Sequence, residues 1–137
     1  MKTILVVDDE QDICLYLSRL FREHGYQAVC ASDGGEALAK VRSDKPDVVT
    51  LDLSMPETSG ARFYREVRSN PELSGIPVVM VTAVTGFGGS AADTERFYSS
   101  RRSVPPPDGF VAKPIDPGEM LALVDRLIGP GGEGAGG

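Results

Sequence analysis

Five side chains able to carry charge or donate a proton stand directly after short apolar runs. Asp8 and Asp9 follow Ile4 to Val7, Asp52 follows Val48 to Leu51, Thr82 follows Ile76 to Val81, and Lys113 follows Gly109 to Ala112. Charges within an amphipathic helix are explained by a solvated face, but residues that end apolar strands are not. Three carboxylates drawn together repel one another and require positive charge nearby. Lys113 supplies one unit and a divalent ion two, which balances the three acids. An all-oxygen ligand set suits Mg²⁺, which keeps several waters and is commonly completed by a phosphate oxygen. A carboxylate can also attack phosphorus and become an acyl phosphate. Asp52 stands alone after its run and is the candidate nucleophile. The adjacent Asp8 and Asp9 suit a metal cradle, Lys113 a second cation and Thr82 a hydroxyl donor for a transferring phosphoryl group. The plainer reading, helix capping, is open for Asp8 or Asp9 singly but does not cover all five residues.

The elements that must position these groups alternate. Ile4 to Val7 reads as a strand buried on both faces. Ile13, Leu17, Leu20 and Phe21 then fall on one helical face, which Gly25 stops. Tyr26 to Ala31 reads as a second strand. Asp33 and Glu36 form a capping-box pattern before Ala37, Leu38 and Val41, and Lys45-Pro46 ends that helix. The third strand runs to Asp52, and a loop from Leu53 to Ser59 leads to a helix bearing Phe63 and Val67, broken at Asn70-Pro71. Ile76 to Thr82 is the fourth strand and Gly109 to Ala112 a short fifth. A helix is expected over 91–102, and Pro105-Pro106-Pro107 reads as a stiff connector. Asp116-Pro117-Gly118-Glu119 starts the last helix, with Leu121, Val124, Leu127 and Ile128 on one face, and Gly129-Pro130 ends it. The order is β-α five times, which predicts a parallel sheet covered on both faces. In such a sheet the carboxyl ends of the strands gather the functional groups.

Composition narrows the function classes. The 41% hydrophobic and 25% charged residues of this 137-residue chain are those of one soluble globular domain. A formal net charge of −6, with Arg101-Arg102 the only dense basic spot, argues against nucleic-acid binding. No apolar run approaches the roughly 18 residues of a membrane span, and the acidic turn after Val7 does not fit a secretory leader. A cytoplasmic protein is expected. Cys14 and Cys30 lack metal spacing and read as buried reduced thiols, and His24 as a cation at a helix end.

Taken together, the motifs resemble the receiver domain of bacterial two-component response regulators, of the single-domain chemotaxis-like type. Asp8-Asp9-Glu10 resembles the acidic pair, and Asp52-Leu53-Ser54-Met55-Pro56-Glu57-Thr58-Ser59-Gly60 the phosphoacceptor loop with its D-x-x-M-P-x-x-x-G spacing. Val81-Thr82-Ala83 resembles the switch threonine, and Phe110-Val111-Ala112-Lys113-Pro114 the switch aromatic, lysine and following proline. The resemblance implies a flavodoxin-like (βα)5 doubly wound sandwich with a five-stranded parallel sheet in the order 2-1-3-4-5. It implies that Asp52 accepts a phosphoryl group from a sensor histidine kinase or a phosphotransfer protein. Asp9 and Asp52 would ligate Mg²⁺ with the Ser54 backbone carbonyl, while Asp8 would act mainly through water. Lys113 would pair with Asp52 and then with the phosphoryl group, and the Lys113-Pro114 bond would be cis. Thr82 and Phe110 would move on phosphorylation, and an unidentified downstream protein would read the change. The family is a phosphoacceptor in a phosphorelay, not an enzyme with turnover.

The resemblance covers a receiver domain over 1–128; a flexible glycine-rich tail over 129–137 and no output module are expected. It departs from the family pattern between Thr82 and Lys113, which is longer by several residues and atypical where the fourth helix belongs. A phosphorylation-independent interaction module would fit that departure, though the complete acid, threonine and lysine set argues against it. A Mg²⁺-dependent aspartyl phosphatase would want a second acid where Ser54 stands. A flavin carrier would want a phosphate-binding loop where Asp8-Asp9 stands.

Overall fold

The computed structural model describes residues 2–52, 57–83 and 107–129. The expected helix over 91–102, the Arg101-Arg102 spot, the backbone of Ser54 and the tail beyond Gly129 lie outside the described residues. Five strands, β1 (Thr3–Val7), β2 (Gln27–Ala31), β3 (Val48–Asp52), β4 (Val78–Ala83) and β5 (Gly109–Lys113), form one sheet in the order β2-β1-β3-β4-β5. All four pairings are parallel. Four helices are described: α1 (Gln11–Glu23), α2 (Gly34–Asp44), α3 (Glu57–Ser69) and α4 (Pro117–Ile128). The architecture is the expected flavodoxin-like doubly wound sheet.

Strand side chains alternate between faces, and this period of two divides the core. Leu5, Val7, Val49, Leu51, Val78 and Met80 pack with α2 and α3 residues such as Val41, Phe63 and Tyr64. Ile4, Val6, Val48, Val79, Val81 and Val111 pack with α1 and α4 residues such as Leu17, Phe21, Met120 and Val124. Ile4, Val6, Val48, Val49 and Leu51 are essentially inaccessible, as a central parallel strand requires.

The helix ends follow their local chemistry. Asp33 accepts a bond from the Glu36 amide at 2.7 Å, and the Glu36 carboxylate accepts from the Ser32 amide at 2.8 Å. Asp116 accepts from the Glu119 amide at 3.1 Å, with Pro117 opening α4. Lys45, at φ 45°, takes the left-handed conformation that closes α2 ahead of Pro46.

Several boundaries differ from the sequence reading. The segment Glu57–Ser59 belongs to α3 and not to the preceding loop; it has no helix breaker, and an acid in the first turn favours the start of a helix. Tyr26 precedes β2 because its amide closes the end of α1 on the Phe21 carbonyl at 3.0 Å. Strand β4 starts at Val78 because Pro77 has no amide to pair, although its carbonyl accepts from Val49 at 3.0 Å. Strand β5 runs one residue further, pairing Lys113 with Ala83. Cys30 is half-buried rather than buried, because β2 is an edge strand.

One polar pin was invisible in the sequence. The Arg68 guanidinium donates to Asp108 Oδ2 at 2.6 Å and to the carbonyls of Ser74 at 3.0 Å and Ile76 at 3.2 Å. The same Asp108 oxygen accepts from the Val78 amide at 2.8 Å. The end of α3, the start of β4 and the approach to β5 are thereby tied together at the sheet end opposite the acids. Hydrogen bonds to charged groups contribute more than neutral ones, so Arg68→Ala is expected to lower stability by about 2 kcal/mol. Urea unfolding of the two proteins, read as a change in midpoint at constant slope, checks this.

Candidate functional site

The parity that divides the core also sorts the polar strand ends. Asp8 continues the Ile4–Val6 row, Asp52 the Val48–Thr50 row and Lys113 the Val111 row, so all three belong to the α1 and α4 side of the sheet. Thr82 continues the Val78–Met80 row and Phe110 pairs with Met80, so both belong to the α2 and α3 side. Asp52 and Asp8 sit on neighbouring strands because β1 and β3 are paired, and β4 and β5 complete the far wall.

Carboxylate oxygens of Asp8, Asp9 and Asp52 lie within 4.8 Å of one another, two of these acids being buried and Asp9 exposed. Asp8 is 2% and Asp52 1% exposed. The Lys113 ammonium is 3.2 Å from Asp52 Oδ1, 3.8 Å from Asp8 Oδ2 and 3.9 Å from Glu10 Oε1. Glu10 was not singled out in the sequence; its place after Asp8-Asp9 was the only signal for it. Asp8 is held by the Glu10 amide, which donates to its Oδ1 at 2.8 Å, and by its own amide, which donates to the Ala31 carbonyl at 3.0 Å. The Lys113–Pro114 peptide bond is cis.

The charges do not balance among these side chains alone. Burial pushes the Asp8 carboxyl up; the Glu10 amide lowers it, the charge of Asp52 raises it further and Lys113 lowers it, and the result is about 6. Burial by itself would lower the Lys113 ammonium, but Asp52, Asp8 and Glu10 together hold it above its ordinary value, so it stays charged at neutral pH. Burial also pushes the neighbouring Cys14 thiol up to about 12, so it adds no charge. A cluster of hard oxygen ligands, one of them half-protonated near pH 6 because it is buried beside Asp52, fits a divalent cation such as Mg²⁺. Asp8, Asp9 and Asp52 are the residues that could hold it.

Thr82, at the end of β4, is 2% exposed, and its hydroxyl finds no hydrogen-bond partner among the described residues. Phe110 is half-buried against the α2 and α3 core. The arrangement can bind a cation beside the buried Asp52 carboxylate, and it places a charged ammonium against that carboxylate.

A family model described as the response regulator receiver domain matches residues 4–125. The chain is 41% identical over 125 residues to Protein Rrf1 of Nitratidesulfovibrio vulgaris, covering 91% of this chain and 81% of that protein. It is 30% identical over 128 residues to Protein PilH of Pseudomonas aeruginosa, covering 93% of this chain and 98% of that protein. Among solved structures it resembles chemotaxis protein CheY4 of Vibrio cholerae, with a TM-score of 0.77 and 29% identity over 93% of this chain and 98% of that one.

The raised Asp8 carboxyl has a stability signature. Between its ordinary value of 3.8 and about 6, the folded chain keeps a proton that the unfolded chain has released. Stability of the metal-free protein therefore falls as pH rises through that window and levels off above it. Asp8→Asn is expected to remove the slope and to stabilise the metal-free protein at pH 7 by on the order of 2 kcal/mol. Thermal unfolding in chelator across pH 4 to 8 (roughly the span bracketing the two values) checks both; a flat wild-type profile would contradict the assignment.

Proposed function

The chain belongs to the response regulator receiver domain family, and from that premise we propose that Asp52 accepts a phosphoryl group and that the domain signals by phosphorylation-dependent protein binding. The family is one of signalling domains, and no helix among the described residues is long and apolar enough to cross a membrane. The observation that carries the reading is the placement of the Lys113 ammonium 3.2 Å from Asp52, within a three-acid cluster whose oxygens lie inside 4.8 Å.

In this reading the donor is a phosphohistidine on a sensor kinase or phosphotransfer protein. An Asp52 oxygen forms a bond to phosphorus as the bond from phosphorus to the donor nitrogen breaks. A Mg²⁺ ion held by Asp9 and Asp52, with the Ser54 carbonyl as a further ligand, would supply charge neutralisation for the phosphoryl oxygens. Asp8, fixed by the Glu10 amide, would act mainly through water and adds negative charge that retains a cation. Lys113 holds Asp52 before transfer and turns to a phosphoryl oxygen afterwards; its raised pKa keeps it a cation throughout.

Acceptance replaces one negative charge on Asp52 with about two, and adds three acceptor oxygens. Thr82 is a buried hydroxyl without a partner among the described residues, so a new acceptor near the end of β3 offers it a hydrogen bond. Phe110 lies on the same side of the sheet and follows into the space Thr82 leaves. The change is a shift between two existing conformations, biased by the phosphoryl group.

Incubation with Mg²⁺ and acetyl phosphate, followed by intact mass measurement, tests the reading. One added phosphoryl group is expected for the wild type, none for Asp52→Asn and none with chelator present. A folded wild type that stays unmodified would leave a phosphorylation-independent interaction module instead. Thr82→Val keeps the shape and removes the orphaned hydroxyl, so it is expected to raise unfolding stability by about 1 kcal/mol. The same variant should still take up phosphoryl but lose the accompanying change in hydrogen exchange around β4 and β5.

A further inference from the structure

The two cysteines, which the acceptor reading does not use, meet on the α1 side of the sheet beside the acidic cluster. Cys14 lies on the inner face of α1 and is 5% exposed, whereas Cys30 on edge strand β2 is half-buried. Cys30 Sγ is 3.4 Å from the Cys14 backbone oxygen and 3.0 Å from the Ser18 hydroxyl one turn along. The Cys14 thiol points toward the strand ends, 3.9 Å from the Val6 carbonyl and 3.6 Å from that of Asp8. Both cysteines line one open cleft of about 360 Å³, whose walls also include Asp8, Asp9, Ser32 and Glu36. Solvent and small solutes therefore reach the pair from the same end of the sheet as the acids.

Two simpler roles fit poorly. Packing as apolar side chains would bury both residues, and Cys30 stays half-exposed. A soft-metal site needs a third ligand, and the three-residue ligand cluster found among the described residues, Asp8, Asp9 and Asp52, contains neither sulfur. A half-buried thiol beside a buried one, with no third ligand among the described residues, has the chemistry of a two-electron redox couple.

We propose that Cys14 and Cys30 form an oxidisable dithiol that closes to an intrachain disulfide in response to a hydroperoxide, linking α1 to β2 beside the acidic cluster. Cys30, the accessible sulfur, attacks the terminal peroxide oxygen; a sulfur–oxygen bond forms, the oxygen–oxygen bond breaks, and the thiol proton leaves with the departing alkoxide or hydroxide. The Cys14 sulfur then attacks Cys30. The disulfide bond forms, the sulfur–oxygen bond breaks, and the hydroxide leaves as water with the Cys14 proton. The thiols lose two electrons in all, and the hydroperoxide accepts both. The link reaches the site through short paths: Cys14 contacts the Asp8 carbonyl, and the residue after Cys30 accepts the Asp8 amide at 3.0 Å.

The test treats the folded, reduced full chain with hydrogen peroxide, removes the peroxide with catalase, and then alkylates with iodoacetamide in guanidinium chloride, so that every free thiol reacts, before intact mass and peptide mapping. The expected product is a monomer lighter by two hydrogens that takes up no alkyl group, with a linked peptide pair containing residues 14 and 30 that dithiothreitol separates. Cys14→Ser should leave Cys30 as a sulfenic acid trapped by dimedone, and Cys30→Ser should leave Cys14 alkylated. Asp52→Asn should form the link as the wild type does, so this result does not depend on phosphoryl acceptance. A wild type that still takes up two alkyl groups while its circular dichroism stays native would overturn the proposal. A link found only between two chains, or only in urea, would do so equally.

Discussion

Like charges placed together at the end of a sheet work against folding unless the scaffold is stiff. Asp8 and Asp52 are almost fully buried, share one lysine with Glu10, and are joined by Asp9 within a few ångströms. Burial first and the charge of Asp52 second make Asp8 a carboxyl that holds its proton to about pH 6. What opposes the repulsion is the fully buried parallel core of β1 and β3, with apolar residues on both faces. Burying one such side chain contributes about 1.5–3 kcal/mol, so a few strand residues offset the electrostatic cost. The site is a local loss of stability supported by the sheet behind it.

The two faces of the sheet then divide the labour. Asp8, Asp52 and Lys113 extend rows facing α1 and α4. Thr82 and Phe110 extend rows facing α2 and α3. A change of charge at Asp52 can reach the second face only at the strand ends, where the rows converge. If Asp52 accepts a phosphoryl group as proposed, Thr82 is the natural coupling residue: it stands one strand away from Asp52, is buried, and lacks a partner among the described residues.

Much of this was legible because it is local. Ile4 to Val7 and Val48 to Leu51 announce buried strands by composition, and the polar residue closing each run marks the functional edge. The caps at Asp33 and Asp116 are written in four-residue patterns. What escaped was tertiary. Arg68 and Asp108 stand 40 positions apart and carry no mutual signal in the chain. Glu10 reaches Lys113 only because β1 and β5 end at the same side of the sheet. Cys14 and Cys30 read as separate apolar residues on a helix and a strand, and only the packing of α1 on an edge strand brings them together with one half-exposed. The start of α3 was misplaced because Glu57-Thr58-Ser59 carries turn-like residue types that the helix nevertheless accepts.

The energetics also limit what Thr82 can do alone. A buried hydroxyl without a partner costs about 1–3 kcal/mol, and coupling of that size shifts an equilibrium by roughly 5- to 150-fold. Moving a two-state domain from almost wholly one state to almost wholly the other takes about 5.5 kcal/mol. If Asp52 accepts a phosphoryl group as proposed, the hydroxyl's new bond therefore supplies part of the drive and the acidic cluster must supply the rest. The cluster is suited to this, because Lys113 is shared among Asp52, Asp8 and Glu10 and any change in its partner alters the balance for all three. It follows that a substitution at Glu10, which need not touch the cation or a phosphoryl group, acts on the position of the equilibrium through Lys113 rather than on the transfer itself.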